Sequence, residues 1–344
     1  MTENSHNYKG NQTLDPLTKA LTVFESSPIT KLKSKQGFFI PIDNLGVLRI
    51  SGPDSLEFLN AQLTVDISTL EKGKPLIAGY CNPKGRLLSI ILITRLHDEY
   101  IIVTDSTILL NLEKKLNIYI LRLKVTLQID NSLKIFGLIG PQTSDLIEKI
   151  KKKLEYNNSD FSTIMPEFEH TGWENHLGTL FVMSSSNLSS LHSIIDEFTF
   201  KETTKLWNLF EIRSGTPRVT VTTSEMFIPQ SLNLDLLGGI NFQKGCYPGQ
   251  EIVARVRYLG KIKQRMGRAL VLDHPTPPIG TSLFLDPSGK KRAGNVVNSV
   301  EFSTKTGGEL LVTIPTGMET QSKLYWDGSK EGITLTHTYK TYET

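Results

Sequence analysis

A strand that ends at Gly-Pro and continues into a helix occurs twice in this chain. The first copy passes from residues 46–50 through Gly52-Pro53, and the second passes from residues 134–139 through Gly140-Pro141. Because proline is well tolerated in the first turn of a helix, each copy predicts a strand and a helix joined by a sharp turn. Apolar residues at helical spacing, which we expect on the buried helix faces, are Leu56, Leu59, Leu63, Leu146, Ile147 and Ile150.

The two copies indicate two related α+β layers with antiparallel sheets, since strands and helices do not alternate regularly enough for a doubly wound fold. The simpler alternative is that Gly-Pro separates unrelated elements. Strands are also expected at residues 100–104, 123–129 and 180–183, and helices at 109–116 and 188–198.

The last eighty or so residues have a different pattern, in which short β-rich runs alternate with turns that contain Pro and Gly. Such spacing is typical of a small all-β barrel or sandwich. We therefore expect an α+β fold with a flexible lead-in at 1–30, an α+β region of two subdomains at 31–264 and a β-barrel domain at 265–344. The expected barrel strands are residues 268–272, 282–285, 294–300, 310–314 and 323–326.

The composition excludes several classes of protein. The 344 residues carry a net charge of +3, too little for a global attraction to nucleic acid. Two cysteines, Cys81 and Cys246, give neither a disulfide framework nor a CxxC zinc site, and the histidines lack metal-binding spacing, so no metal site is predicted. The N-terminus has no apolar signal segment, and no run is long enough to span a membrane. We expect a soluble cytoplasmic protein.

The segment Lys244-Gly245-Cys246-Tyr247-Pro248-Gly249-Gln250-Glu251, called here the 244–251 loop, places a cysteine before a predicted helix. Apolar residues at helical spacing follow it, so residues 248–250 are expected to form the first helical turn. Cys246 would then lie at the positive helix end, near Lys244 and Arg255. These charges favour thiolate, the reactive and metal-binding form. The alternative is a buried structural cysteine in a tight turn.

The 244–251 loop with Ala254-Arg255 resembles the signature of the YgfZ family, folate-binding proteins related to the glycine-cleavage T protein. Phe227-Ile228-Pro229-Gln230, Tyr258-Leu259-Gly260-Lys261 and Cys81-Asn82-Pro83-Lys84-Gly85-Arg86 match that family too, and the resemblance covers about residues 38–340. It implies a three-domain ring around a central channel, a bound tetrahydrofolate and support of iron–sulfur proteins such as the tRNA methylthiotransferases. We expect a monomer.

The resemblance also implies individual site residues. Trp207 stands where the family has a folate-contacting tryptophan, and an indole face can stack on a pterin; an ordinary core aromatic is the alternative. Leu45 stands where some members have a second aromatic, so one stacking partner is absent. Cys246 is the implied working thiol, set by Lys244 and Gln250. The other implied cofactor-binding residues are Tyr247, Gly249, Glu251 and Arg255.

Comparison with the T protein bears on the reaction. An aspartate pair that assists one-carbon transfer there is replaced by Ser89 and Ile90, and a serine cannot hold the stabilising negative charge. A pterin-binding glutamate of the T protein aligns near Arg213, which reverses the charge. The resemblance therefore implies a folate-binding accessory protein for iron–sulfur cluster assembly or repair, and thereby tRNA modification. The alternative is a folate-dependent one-carbon transferase, either an aminomethyltransferase or a demethylase.

The basic stretch at residues 244–268 contains seven basic residues and one acidic residue. A solvated helix and linker face is the simplest interpretation, and the glutamate tail of a folate is a second. Direct RNA contact by residues 255–268 is a third, but it would require aromatic side chains between the cations, and only Tyr258 is available there.

Overall fold

The computed structural model describes residues 37–71, 75–140, 143–156, 161–164, 177–185, 187–191, 199–201, 204–303, 307–327, 329 and 331–338. Within them the chain forms three β-sheets flanked by α-helices. The lead-in expected at 1–30 lies outside the described residues. Of the helix expected at 188–198, residues 187–191 are helical and 192–198 are not described.

The first sheet contains the strand of the first Gly-Pro copy. It comprises β2 (Leu45–Ser51), β3 (Leu76–Cys81), β4 (Leu87–Leu96), β5 (Glu99–Asp105) and β6 (Thr126–Ile129), in the order β3-β4-β5-β2-β6. Every neighbouring pair is antiparallel. Helices α1 (Ser55–Gln62) and α2 (Ser106–Asn117) contribute Phe58, Leu59 and Leu112 to its hydrophobic core. Leu56 was wrongly expected in this core: it is 40% exposed, because Ser55, Phe58, Leu59 and Gln62 form the buried face.

The second sheet contains the strand of the second copy. It comprises β1 (Gly37–Ile42), β7 (Leu133–Gly140), β8 (Phe161–Ile164), β9 (Leu177–Ser184) and β10 (Thr199–Lys201), in the order β10-β1-β7-β9-β8. The β1–β10 pair is parallel and the other pairs are antiparallel. Helix α3 (Thr143–Tyr156) buries Leu146, Ile147 and Ile150 as expected. Helix α4 (Thr204–Ser214) places Trp207 and Phe210 in the core between the first and second sheets.

The third sheet is the barrel-like C-terminal part. Its strands are β11 (Gln264–Val271), β12 (Ser282–Phe284), β13 (Arg292–Ser303), β14 (Gly307–Pro315), β15 (Lys323–Leu324) and β16 (Ile333–Thr338), in the order β12-β13-β14-β11-β16-β15. Phe284 and Tyr325 exchange two backbone hydrogen bonds of 2.8 and 2.9 Å across the open edge. These bonds nearly close the sheet, which confirms the predicted barrel. Strand β16 was missed, because Thr and His alternate there with few large apolar residues.

Buried ion pairs join the barrel to the preceding region. Arg213 of α4 donates to Glu309 of β14, with an Nη2–Oε1 distance of 2.6 Å, and both side chains are more than 90% buried. Arg265 of β11 pairs with Asp235 at 2.6 Å, and it also donates to the carbonyl of Gln230. Removing one partner of such a pair would leave an uncompensated buried charge. These contacts therefore fix the position of the barrel against the preceding region. The division of the chain at residue 265 stays a prediction.

Within the described residues, each helix is too short or too polar to cross a lipid bilayer.

Candidate functional site

The 244–251 loop leads into helix α5 (Gln250–Tyr258) through Gly249, which has a left-handed backbone with φ of +80°. The helix thus begins at Gln250, later than the expected first turn at 248–250. A Cβ at Gly249 would lie 2.5 Å from the carbonyl oxygen of Asn82 and 2.6 Å from the Cα of Gly85. Only glycine fits this approach without strain, so the loop is fixed against the turn between β3 and β4.

Lys244 fixes the other end of the loop. Its Nζ donates to the carbonyls of Asn60 and Leu63, at 2.5 and 2.7 Å, at the C-terminal end of α1. A cation is favourable at this negative end of a helix. The ammonium also lies 5.2 Å from the ring centroid of Tyr247. Burial lowers the pKa of Lys244 to about 8, against smaller opposing effects of Asp66 and Cys246.

Cys246 is exposed, whereas Cys81 is buried, and burial raises the pKa of the Cys81 thiol to about 12. A Cβ at the neighbouring Gly245 would meet no heavy atom within 4 Å, so open space surrounds this part of the loop. Gln250 Nε2 donates to the Lys244 carbonyl at 3.3 Å, which closes the loop around the thiol. No cluster of three potential metal ligands occurs in the part of the chain that the structure describes.

Two further residues of the predicted cofactor set, Glu251 and Arg255, face solvent. They pair with each other along α5 at 2.7 Å, and both side chains are more than half exposed. Tyr247 is buried instead, and burial raises the pKa of its phenol. The structure thus brings Lys244, Tyr247 and Cys246 together with the end of α1; their roles in cofactor binding stay predictions.

Trp207 and Leu45 belong to a different region, the hydrophobic core between the first and second sheets. Trp207 is only 3% exposed, and its indole covers Gly137, where a Cβ would lie 2.2 Å from Cε3. Phe210 packs on it with ring centroids 5.3 Å apart. Leu45 is half-buried against the same core. The two positions implied for folate therefore lie in one cluster, with the indole largely covered by protein.

A polar cluster adjoins these two residues. Asn44 precedes Leu45 and Asn208 follows Trp207, and Asn44 Nδ2 donates to Asn208 Oδ1 at 3.0 Å. Arg218 Nη2 donates to the same Asn208 oxygen at 2.6 Å. We call Asn44, Asn208, Arg218, Glu211 and Asp105 the polar cluster.

The acidic members of the polar cluster hold Arg218 in place. Glu211 accepts hydrogen bonds from Arg218 Nη2 and from Trp207 Nε1, the latter at 3.0 Å. Asp105 Oδ2 lies 3.8 Å from Arg218 Nη1. Burial raises the pKa of Glu211, while its contacts with Arg218 and Trp207 act in the opposite direction.

Two atoms of the polar cluster are buried without a hydrogen-bond partner among the described residues: the acceptor Asn44 Oδ1 and the donor Arg218 Nε. Buried polar groups are nearly always paired, so this donor and this acceptor are suited to bind a polar ligand or a water molecule. Sequence reasoning missed Asn44, Asn208 and Arg218. Asn44 and Asn208 could have been found from their adjacency to Leu45 and Trp207, whereas no sequence signal marked Arg218.

Ser89 and Ile90, which the resemblance sets in place of the aspartate pair of the T protein, are both buried. Ser89 is buried in β4, and its hydroxyl lies 2.8 Å from that of Thr104 on β5. Ile90 packs in the core that joins the first sheet to the barrel. Arg213, which aligns near the pterin-binding glutamate, is engaged by Glu309.

Residues 33–170 match the family model of the GCVT N-terminal domain. The curated tRNA-modifying protein YgfZ of Blochmanniella pennsylvanica is 30% identical over 67% of this chain and 70% of its own length. YgfZ of Colwellia psychrerythraea is 27% identical over 72% and 76%, and YgfZ of Klebsiella pneumoniae is 28% identical over 79% and 83%.

The fold is also found in a solved structure. The crystal structure of the glycine cleavage system aminomethyltransferase T from Bartonella henselae superposes with a TM-score of 0.67, over 94% of this chain and 89% of that one. At 16% identity this match shows the fold alone, and it confirms the predicted glycine-cleavage-T-like architecture. The extent and identity of the curated matches establish the relationship at the sequence level: the chain belongs to the YgfZ family.

Proposed function

We propose that this protein binds tetrahydrofolate at the polar cluster and supports tRNA modification by assisting iron–sulfur proteins. The tRNA role follows the names of the curated relatives, which are called tRNA-modifying proteins. The folate role is supported by the two unpaired buried atoms beside Leu45 and Trp207.

The chemistry of a pterin fits these atoms. The pterin edge offers ring and amino N–H donors beside a carbonyl acceptor. Asn44 Oδ1 would accept one N–H, and Arg218 Nε would donate to the carbonyl oxygen. Leaving such atoms buried and unpaired costs about 1–3 kcal/mol each, so a ligand that pairs them recovers that free energy. Asn208 and Glu211 orient the two groups, while Leu45 supplies apolar contact.

Equilibrium titration with tetrahydrofolate tests this proposal. The wild type should bind tetrahydrofolate. Asn44→Ala should raise the Kd by roughly 5- to 100-fold, because it removes a buried hydrogen bond and leaves the pterin N–H without an acceptor. Asn117→Ala is the matched control, because Asn117 is exposed and its side-chain amide donates to the nearby carbonyl of Glu113. An unchanged Kd in Asn44→Ala, or no binding by the wild type, overturns the folate assignment.

The exposed thiol of Cys246 is the proposed contact with iron–sulfur client proteins. Its accessibility and the open space at Gly245 leave room for a bulky partner. Since the described residues hold no three-ligand cluster, this thiol would supply one ligand while the client supplies the others. In a deletion strain, Cys246→Ala should fail to restore the activity of tRNA methylthiotransferases, whereas Cys81→Ala should restore it if the protein remains folded. Full rescue by Cys246→Ala would remove the thiol from the mechanism.

A one-carbon transferase is the second candidate, favoured by the carboxylates of Asp105 and Glu211 beside the proposed pterin site. Either could take the place of the absent aspartate pair as a proton acceptor. Turnover of an N-methyl or aminomethyl donor with tetrahydrofolate, detected as formaldehyde or methylene-tetrahydrofolate, would support it. Turnover that persists in Asp105→Asn and Glu211→Gln would exclude these residues as the base.

A further inference from the structure

A concave region that the folate proposal does not use lies beside the 244–251 loop and α5. It is a cavity of about 400 Å³, between α5, the 3₁₀ helix Ile67–Thr69 and the segment before the loop. Its walls include Phe242, Tyr258 and Arg257, together with Asn241 and Gln243. A flat heterocycle with polar edges fits such a mixture of aromatic, cationic and amide groups.

The aromatic pair in this cavity is formed by one residue before the 244–251 loop and one at the end of α5. The rings of Phe242 and Tyr258 meet edge to face, with centroids 6.0 Å apart and an interplanar angle of 74°. The Arg257 guanidinium lies 5.6 Å from the Phe242 centroid. Tyr258 is 65% exposed, which leaves its ring accessible to a ligand. Folding thus supplies the second aromatic that the basic stretch lacked in sequence.

The charges around the cavity favour an anionic ligand. Arg257 lies in the cavity wall, and the exposed Lys261 and Lys263 follow in the chain after the end of α5. The acid in the wall, Asp66, accepts hydrogen bonds from the Ser68 backbone N–H and hydroxyl, which lower its pKa and fix it at the start of the 3₁₀ helix. Glu251 is paired with Arg255. The segment that follows the cavity wall is therefore basic, which favours a polyanion.

We propose that this cavity binds single-stranded RNA, with one base on the exposed ring of Tyr258 and adjacent phosphates at Arg257, Lys261 and Lys263. Unpaired bases stack on aromatic side chains while Lys and Arg contact the backbone, a combination typical of single-strand recognition. The amides of Asn241 and Gln243 lie where they could meet a base edge. This contact goes beyond the proposed folate role and does not depend on it.

Fluorescence anisotropy with a labelled single-stranded RNA dodecamer at physiological salt tests the proposal. Tyr258→Ala should weaken binding by about 5- to 100-fold, since a base–aromatic stack contributes that much, whereas Tyr258→Phe should retain it. Tyr119→Ala is the matched control, because Tyr119 is 42% exposed and does not line the cavity. Arg257→Gln should weaken binding and make it less dependent on salt concentration.

Competition identifies the ligand class. Unlabelled single-stranded RNA should displace the probe, whereas double-stranded RNA and an acidic peptide should not at the same concentration. Equal binding by Tyr258→Ala and wild type, or displacement by the acidic peptide at the RNA's own concentration, overturns the proposal. Tetrahydrofolate titration of Tyr258→Ala should give the wild-type Kd, which confirms that the variant is folded and separates this test from that of the folate site.

Discussion

The side-chain amide of Asn44 donates to that of Asn208 across 3.0 Å, and this bond ties the β1–β2 connection to helix α4. Each asparagine adjoins a position that the family resemblance implies for folate, Leu45 in one case and Trp207 in the other. The bond therefore holds the two halves of the proposed pterin site together. It also orients Asn208 Oδ1 towards Arg218 Nη2, so the unpaired Arg218 Nε is held in place beside it.

Restoring an aromatic at residue 45 should strengthen folate binding. Leu45 is half-buried against the Trp207 core, and Leu45→Phe would add a ring beside the polar cluster. An aromatic contact is worth about 0.5–1.5 kcal/mol, which corresponds to roughly a two- to tenfold lower Kd for tetrahydrofolate. Leu110→Phe, at a 53% exposed position on α2, is the control and should leave the Kd unchanged. Equal affinities in both variants would show that residue 45 does not contact the pterin.

Two glycines of the same loop should respond differently to alanine. Gly249→Ala forces a Cβ to 2.5 Å from the Asn82 carbonyl at a φ of +80°, and should lower the free energy of unfolding by about 1–3 kcal/mol or more. Gly245→Ala meets no neighbour within 4 Å and should change it by less than about 0.5 kcal/mol. Urea denaturation measures both. Similar losses in the two variants would contradict the described loop geometry.

The depressed pKa of Lys244 predicts a pH dependence of stability. The folded state loses this proton near pH 8, while the unfolded chain holds it until about 10.5, so the unfolded state binds more protons between those values. The free energy of unfolding therefore rises with pH across that window because of this group. Wild type and Lys244→Met, compared by urea denaturation at pH 7.5 and 9.5, should differ in slope, with the smaller rise in the variant. Parallel profiles would mean that the ammonium is not desolvated.

The two thiols should differ in reactivity. In native buffer a thiol reagent such as Ellman's reagent should label one cysteine rapidly, because Cys246 is exposed and Cys81 is 1% exposed. The second thiol should react only after unfolding. Cys246→Ala should lack the rapid phase and Cys81→Ala should retain it. Rapid labelling of two thiols in the native wild type would contradict the burial of Cys81.

The sequence predicted those parts of the fold that depend on local patterns. Strands β2, β5 and β7 followed from apolar runs, and the buried face of α3 followed from helical spacing. The barrel followed from short β-rich runs separated by turns that contain Pro and Gly. The start of α5 was placed too early, because Gly249 has a left-handed backbone and does not continue the helix. This conformation brings Gly249 close to the carbonyl of Asn82. That contact joins segments far apart in sequence.

The candidate sites also differ in how far the sequence could predict them, depending on whether their residues are contiguous. The 244–251 loop is contiguous, so its motif was readable. The polar cluster draws Asn44, Asp105, Asn208 and Arg218 from separate segments, and periodicity carries no information about which of them meet. Phe242 and Tyr258 likewise become neighbours only through folding.

A crystal structure of the protein with tetrahydrofolate would test the central claim most directly. The account predicts the pterin edge beside the polar cluster, with an N–H at about 2.7–3.2 Å from Asn44 Oδ1 and the carbonyl oxygen at a similar distance from Arg218 Nε. A pterin bound elsewhere, with both of these atoms still unpaired, would contradict it.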